Sequence, residues 1–368
     1  MIHGYTGQAA TKSANDFGLK TPICASDTPE NADNVGPSVE RFRAAPRFAC
    51  SVAVTASPYS SSRTAVFAVD ADRNRLAWRH RGTPSNFSFW SDDDFPNPMG
   101  MVPTKVAACS VDPGKRPLVL VIAGGKIYSI YSAAAWPAKW AFWNQIQPPT
   151  EAAFVDVAAL SLGGGSKYQL YAVTAGGWIL TVTNVAGGPV GNWSLVKPGQ
   201  FRSISALNYA NKIWLVMVDA AADLWRTSSQ GSGWSDPVKL PRPPGLPGWI
   251  DADMTLDEAA RGFLVAIPKG GGNLLWFLPM YGDKAWMEWR HFDTHLWAPW
   301  TDKPQNAPGF QTVTASRWME DAPGVTSPVI FRTDNYGNIY FIEYARAGLG
   351  SAGWVLDWKS FYHESIPY

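Results

Sequence analysis

Charge is scarce in this sequence. Its 31 Lys and Arg and 30 Asp and Glu are spread over 368 residues and leave a formal net charge of +1. No cluster of basic residues forms the face a polyanion would need, so nucleic acid is excluded as a partner. Long apolar runs are missing too: none reaches the ~20 residues of a membrane-crossing helix, so no membrane partner is expected. The opening residues, Met1-Ile2-His3-Gly4-Tyr5, show no basic stretch followed by an apolar one, and no signal peptide is expected in this chain. Cysteine is limited to Cys24, Cys50 and Cys109, with no CxxC pair. There are 5 histidines. No phosphate-binding loop, calcium loop or Ser/His/Asp signature is present. Asp92-Asp93-Asp94 reads as a solvated acidic turn. No metal and no cofactor are expected.

What is present is aromatic and turn-rich. The chain carries 19 Trp, 17 Phe and 13 Tyr beside 33 Gly and 29 Pro. Aromatics favour strands, and Gly and Pro favour turns, so the composition predicts many short strands. These strands repeat. A first strand of small and apolar residues recurs at 50–55, 104–112, 154–162, 201–209, 249–257 and 310–318. A more hydrophobic second strand follows each, as in Leu118-Val119-Leu120-Val121-Ile122 and Phe263-Leu264-Val265-Ala266-Ile267. Turn residues come next, among them Gly124-Gly125, Gly176-Gly177 and Ala221-Ala222-Asp223, where hairpins need positive φ. Third strands start near 76, 127, 179, 224, 274 and 339, and a fourth strand carries a Trp, such as Trp140, Trp193, Trp234 or Trp354.

Steps of 45 to 65 residues between units of four strands match the blades of a propeller. The predicted fold is an all-β, six-bladed β-propeller with four antiparallel strands per blade. The blades are expected at 46–98, 101–150, 152–200, 201–247, 248–304 and 309–363, with residues 1–45 as an arm over one face. The first strands converge on the axis, where Ala53, Ala107, Ala158 and Ser203 suit the crowding. Most tryptophans are expected to fill the widening wedges between blades. Cys109 is expected in the core, while Cys24 and Cys50 are expected to be bonded if the chain passes through an oxidising compartment. That expectation and two glycosylation triplets, at Asn86 and Asn192, lean towards a secreted protein.

The order of strands ending in Gly-Trp-Ser or Asn-Trp-Ser resembles the six-bladed fungal fucose-lectin superfamily. Ala222-Asp223-Leu224-Trp225 with Gly233-Trp234-Ser235, and Asn338-Ile339-Tyr340 with Gly353-Trp354, carry the likeness over roughly residues 46–362. Those lectins repeat an Arg on the second strand and a Glu on the third. Here the matching second strands read Val66-Phe67, Val119-Leu120 and Trp214-Leu215, and only Arg332 with Glu343 looks similar. The packing residues repeat and the polar ones do not, which predicts one asymmetric site at the mouth of the central channel.

The 286–300 segment stands out, holding His291, Asp293 and His295 among Trp289, Trp297 and Trp300. Its length and composition suit a functional loop. Lys105, Arg202, Asp253, Trp249 and Tyr336 are expected on the same face. The chain also looks like the divergent hetero-Diels–Alderases of that superfamily. This resemblance implies a cofactor-independent enzyme that dehydrates a tropolone- or phenol-type precursor to a quinone methide. The enzyme would then guide cycloaddition to an apolar alkene such as a humulene-type sesquiterpene. His295, His291, Arg202 and Asp293 would be its catalytic groups. Trp249, Trp289, Trp297, Trp300, Tyr336, Asp253 and Lys105 would bind the substrate. The alternative is a glycan-binding lectin of altered specificity, with aromatic platforms under sugar faces. The partner is thus an aromatic or terpenoid small molecule or a glycan, and a homodimer is compatible with the sequence.

Overall fold

The computed structural model describes residues 49–56, 64–70, 75–83, 86–87, 100, 102–111, 116–132, 140–149, 153–162, 166–188, 190–231, 233–256, 262–269, 274–280, 290–293, 310–319, 326–334, 339–345, 353–354 and 359–360. The N-terminal arm and Cys24 lie outside them.

Six antiparallel sheets follow one another along the chain, each in simple order from an inner strand outward. The inner strands are Ala49–Ala56, Pro103–Val111, Phe154–Ser161, Phe201–Tyr209, Trp249–Leu256 and Phe310–Met319. Together they line the central channel. The second strands are Thr64–Asp70, Arg116–Ala123, Lys167–Thr174, Lys212–Asp219, Gly262–Pro268 and Thr326–Asp334. The third strands are Arg75–Thr83, Lys126–Tyr131, Ile179–Val185, Leu224–Gln230, Leu274–Pro279 and Ile339–Ala345, within a residue of their predicted starts. Short outer strands complete the blades. In blades four and six the outer position is split into two pieces, Gly233–Trp234 with Val238–Lys239 and Gly353–Trp354 with Lys359–Ser360.

The second strands read as unbroken hydrophobic runs because both of their faces are covered. In blade two, Val119 and Val121 pack with Phe67 and Val69 of blade one, while Leu118, Leu120 and Ile122 pack with Leu170 and Ala172 of blade three. Side chains alternate across a strand, so one strand feeds two cores. The same division joins blades three to four and four to five.

Three of the described fourth-strand tryptophans fill the wedges between blades. Trp140 meets Phe67 edge-on at 5.9 Å and Trp78 at 6.4 Å, both across the first blade boundary. Trp193 stacks on Phe154 at 5.4 Å and donates its indole N–H to the Gln147 carbonyl of blade two at 2.6 Å. Trp234 of blade four meets Tyr171 of blade three at 5.7 Å. Cys109 is a buried free thiol whose pKa burial pushes up to about 12.

The hairpin turns have the chemistry their residues suggest. Gly124 and Gly125 both have positive φ. At Gly177 (φ +82°) an added Cβ would lie 2.6 Å from the Gln200 Cα, so both the backbone angle and the close approach require glycine.

Candidate functional site

All six inner strands begin with the same irregularity. One extra residue interrupts the register with the second strand, and it is Cys50, Thr104, Val155, Arg202, Ile250 and Gln311 in turn. A bulge of this kind re-aims its side chain and suits the rim of a closed structure. It explains why Arg202 and Val155 are exposed although they sit inside inner strands.

Immediately inside each bulge comes a ring position: Ser51, Lys105, Asp156, Ser203, Asp251 and Thr312. One edge of an inner strand pairs with the second strand. The other faces the channel, where its N–H groups have no ladder partner. Side chains of the preceding blade supply the missing acceptors. Ser51 Oγ accepts from Val106 N at 3.1 Å. Asp156 Oδ2 accepts from Ile204 N at 2.9 Å. Asp251 Oδ2 accepts from Val313 N at 3.0 Å, while its Oδ1 accepts from the Ser203 hydroxyl at 2.7 Å. Two residues further in, Asp253 accepts from Ala315 N at 2.7 Å, from Thr314 Oγ1 at 3.2 Å, from Met254 N at 2.8 Å and from the Ser205 hydroxyl.

These carboxylates are buried and close to one another. Burial raises the Asp156 carboxyl above its ordinary range, Lys105 opposes this from 3.7 Å, and Asp251 adds to it. Burial likewise pushes Asp253 up to about 6, against the pull of its hydrogen-bond donors and with some help from Asp251. Among the described residues no three His, Cys, Asp or Glu side chains converge to hold a metal.

Above the ring the channel opens into a mouth cavity of about 390 Å³, lined by Lys105, Arg202, Ser203, Ile250, Asp251 and Lys269. This lies within the roughly 300–1,000 Å³ of small-ligand sites. The Arg202 guanidinium reaches from blade four to the Trp249 carbonyl of blade five at 3.5 Å. Lys269 starts beside it, its backbone N–H bonded to the Gly248 carbonyl at 2.8 Å. At the same end of blade three, the hairpin tip carries Trp178, 53% exposed. It follows Gly177, whose carbonyl accepts from Phe201 N at 3.1 Å, next to Arg202.

The predicted site residues thus separate. Lys105, Arg202 and Asp253 do lie at the channel. Asp253, however, is an inter-blade tie whose two oxygens are both engaged, so its expected role as a free ligand contact is corrected. Trp249 is corrected as well. It is fully buried, edge-on to Trp276 at 6.4 Å, because it opens the inner strand at the wedge where blades four and five meet. His291 and Asp293 do not belong to a mouth loop. Arg290–Asp293 is the outermost strand of blade five, paired with 274–277, and the sheet order puts it farthest from the axis. His295, Trp289, Trp297, Trp300 and Tyr336 lie outside the described residues. In blade six the register sets Arg332 opposite Tyr340 and Glu343 opposite Val329.

Two residues escaped the sequence reading. Trp178 is not among the predicted site residues, although its place directly after Gly176-Gly177 marks it as a hairpin-tip aromatic. Lys269 had no motif at all; only the ending of the second strand at Pro268 points to it.

No family model and no curated protein matches the chain. Solved structures do. AofleA from Arthrobotrys oligospora superposes with a TM-score of 0.57 at 11% identity, covering 87% of this chain and 88% of that one. The BP39L lectin from Burkholderia pseudomallei gives 0.56 at 18% identity, covering 83% of each. The fucose-recognising Aleuria aurantia lectin, a six-bladed β-propeller, gives 0.55 at 11% identity, covering 83% of this chain and 93% of that one. At such identities the likeness is one of fold.

Proposed function

We propose that this six-bladed propeller binds glycans through one site at the mouth of its central channel. The observation that carries the reading is the mouth cavity itself, where polar head groups from three blades meet; the exposed indole of Trp178 stands on the hairpin tip of blade three at the same end of the propeller. An indole offers a flat apolar face of the kind a sugar ring covers, and a few convergent polar groups then fix its orientation. The fold is shared with lectins, one of which recognises fucose.

A single site fits the blades. At the positions where a repeated polar pair would stand, Val66, Phe67, Val119, Leu120, Trp214 and Leu215 are buried in the cores between blades, which leaves those junctions dry and filled. Identical sites would bring avidity, and the filled junctions of these three blades speak for a single site instead.

The pericyclase reading put its proton-transfer groups in the 289–300 segment. The part of that segment described here is an outermost strand, and the structural likeness is to lectins, so the glycan reading is the one these observations favour. Titration against a panel of mono- and oligosaccharides, read by calorimetry, tests it. A stoichiometry near one is expected. A stoichiometry near the number of blades would show repeated sites instead. Failure of every saccharide to bind, with turnover of a phenolic precursor and an alkene, would return the enzymatic reading.

A further inference from the structure

We propose that the channel mouth selects saccharides bearing a carboxylate, such as a hexuronate, over their neutral parents. The inference rests on the glycan reading above and adds the charge of the ligand.

It follows from how charge is used at the mouth. Three cations border the cavity, Lys105 from blade two, Arg202 from blade four and Lys269 from blade five. Two carboxylates lie just inside, and both are already committed. Asp156 holds Ile204 N and faces Lys105, with burial favouring its protonated form. Asp251 spends one oxygen on Val313 N and the other on the Ser203 hydroxyl. Arg202 and Lys269 keep exposed side chains, and neither makes an ion pair among the described residues. The carboxylates are thus committed to hydrogen bonds between blades and to Lys105, while Arg202 and Lys269 face the opening. Both cations rise from one corner, since Arg202 touches the Trp249 carbonyl and Lys269 is anchored to Gly248. A guanidinium fork matches a carboxylate in two places, and an adjacent ammonium adds attraction without demanding direction. Ser203, whose hydroxyl proton goes to Asp251, leaves an acceptor oxygen at the cavity, and Ile250 is an apolar wall. A pyranose with one carboxylate uses all of these at once.

The test titrates the full chain with D-galacturonate and D-galactose, and with D-glucuronate and D-glucose, using inorganic sulfate as a plain anion. Each uronate is expected to bind at least about tenfold more tightly than its neutral parent, because hydrogen bonds to a charged partner are stronger than neutral ones. That preference should shrink between about 0.05 and 0.3 M salt, because the cations are exposed and screened. In Arg202→Gln and Lys269→Gln, each checked for unchanged thermal unfolding, the ratio of uronate to parent affinity should fall towards one. Arg202→Lys should keep part of the preference. Equal affinity for uronate and parent overturns this inference while the glycan reading stands. A preference that survives both Gln variants also overturns it. Binding of sulfate with no binding of any sugar overturns both readings and leaves an anion site.

Discussion

At the scale of single residues, the channel aspartates turn acidity into architecture. Asp253 carries the clearest consequence. Its folded pKa of about 6 lies above the ordinary carboxylate value of 3.8, chiefly through burial. The folded chain therefore binds this proton more tightly than the unfolded one. The stability it contributes is complete below the unfolded value and is lost as pH rises through about 6. At about 1.4 kcal/mol per unit of displacement, the loss is about 3 kcal/mol at most. Asp156 acts in the same sense. At Asp223 burial also pushes upward, but Lys239 and Arg242 outweigh it and hold the carboxyl below its usual range, so its contribution drains as pH falls instead. Asp253→Asn removes the titration and keeps an acceptor oxygen. Across pH 4 to 7 the unfolding free energy of the variant is expected to be flatter than that of the native chain. Parallel profiles would show that Asp253 does not titrate there. Trp178 makes the second residue-scale prediction. Trp178→Ala should weaken saccharide binding about tenfold, about 1.4 kcal/mol, and leave the thermal midpoint nearly unchanged, as an exposed substitution does.

At the scale of elements, each second strand serves two interfaces. Leu120 is fully buried and faces blade three, whereas its neighbour Val119 faces blade one. Leu120→Ala should cost about 2–5 kcal/mol. Denaturant titration would measure it, and a cost below about 1 kcal/mol would mean that the blade boundary closes over the gap. This scale also shows what could be read from the sequence. Strand types were legible because each position in a blade has its own physical demand. Small residues suit the crowded axis, continuous apolar runs suit strands covered on both faces, and Trp suits the wedge. The site was less legible. Asp156, Asp251 and Asp253 look like ordinary polar residues at strand starts, and only the spatial neighbour reveals that their partners are backbone N–H groups about 50–60 residues away. Trp249 looked like a ligand wall because it heads a strand on the ligand face. The bulge after it, which turns Ile250 rather than Trp249 to the rim, leaves no mark in composition. His291 drew attention through rarity, a property of sequence that says nothing of distance from the axis.

At the scale of the whole molecule, the hydrophobic clusters are shared property. Each described cluster draws its residues from two consecutive blades. Removing a blade would uncover faces on both neighbours, so no blade in this described series keeps its core by itself. Loss of far-ultraviolet ellipticity and the change in tryptophan emission are therefore expected to coincide in urea, in a single transition. Two separated transitions would show that groups of blades stand alone.

The contacts around the channel also have a direction. Ser51, Asp156, Ser205, Asp251 and Asp253 each reach forward to the backbone of the blade that follows in the chain. A unit in this ring has a giving side and a receiving side, like a link that hooks only one way. The units look alike, yet they are not interchangeable parts. A copy of blade five placed after blade two would set its two carboxylates towards Asp156, where Lys105 now stands as the ion-pair partner. Shuffling or duplicating such units changes the charge of the axis at every new seam. The order of the six is thus written into the channel, and any lineage that grew by copying one blade had to re-edit each joint before the circle could close.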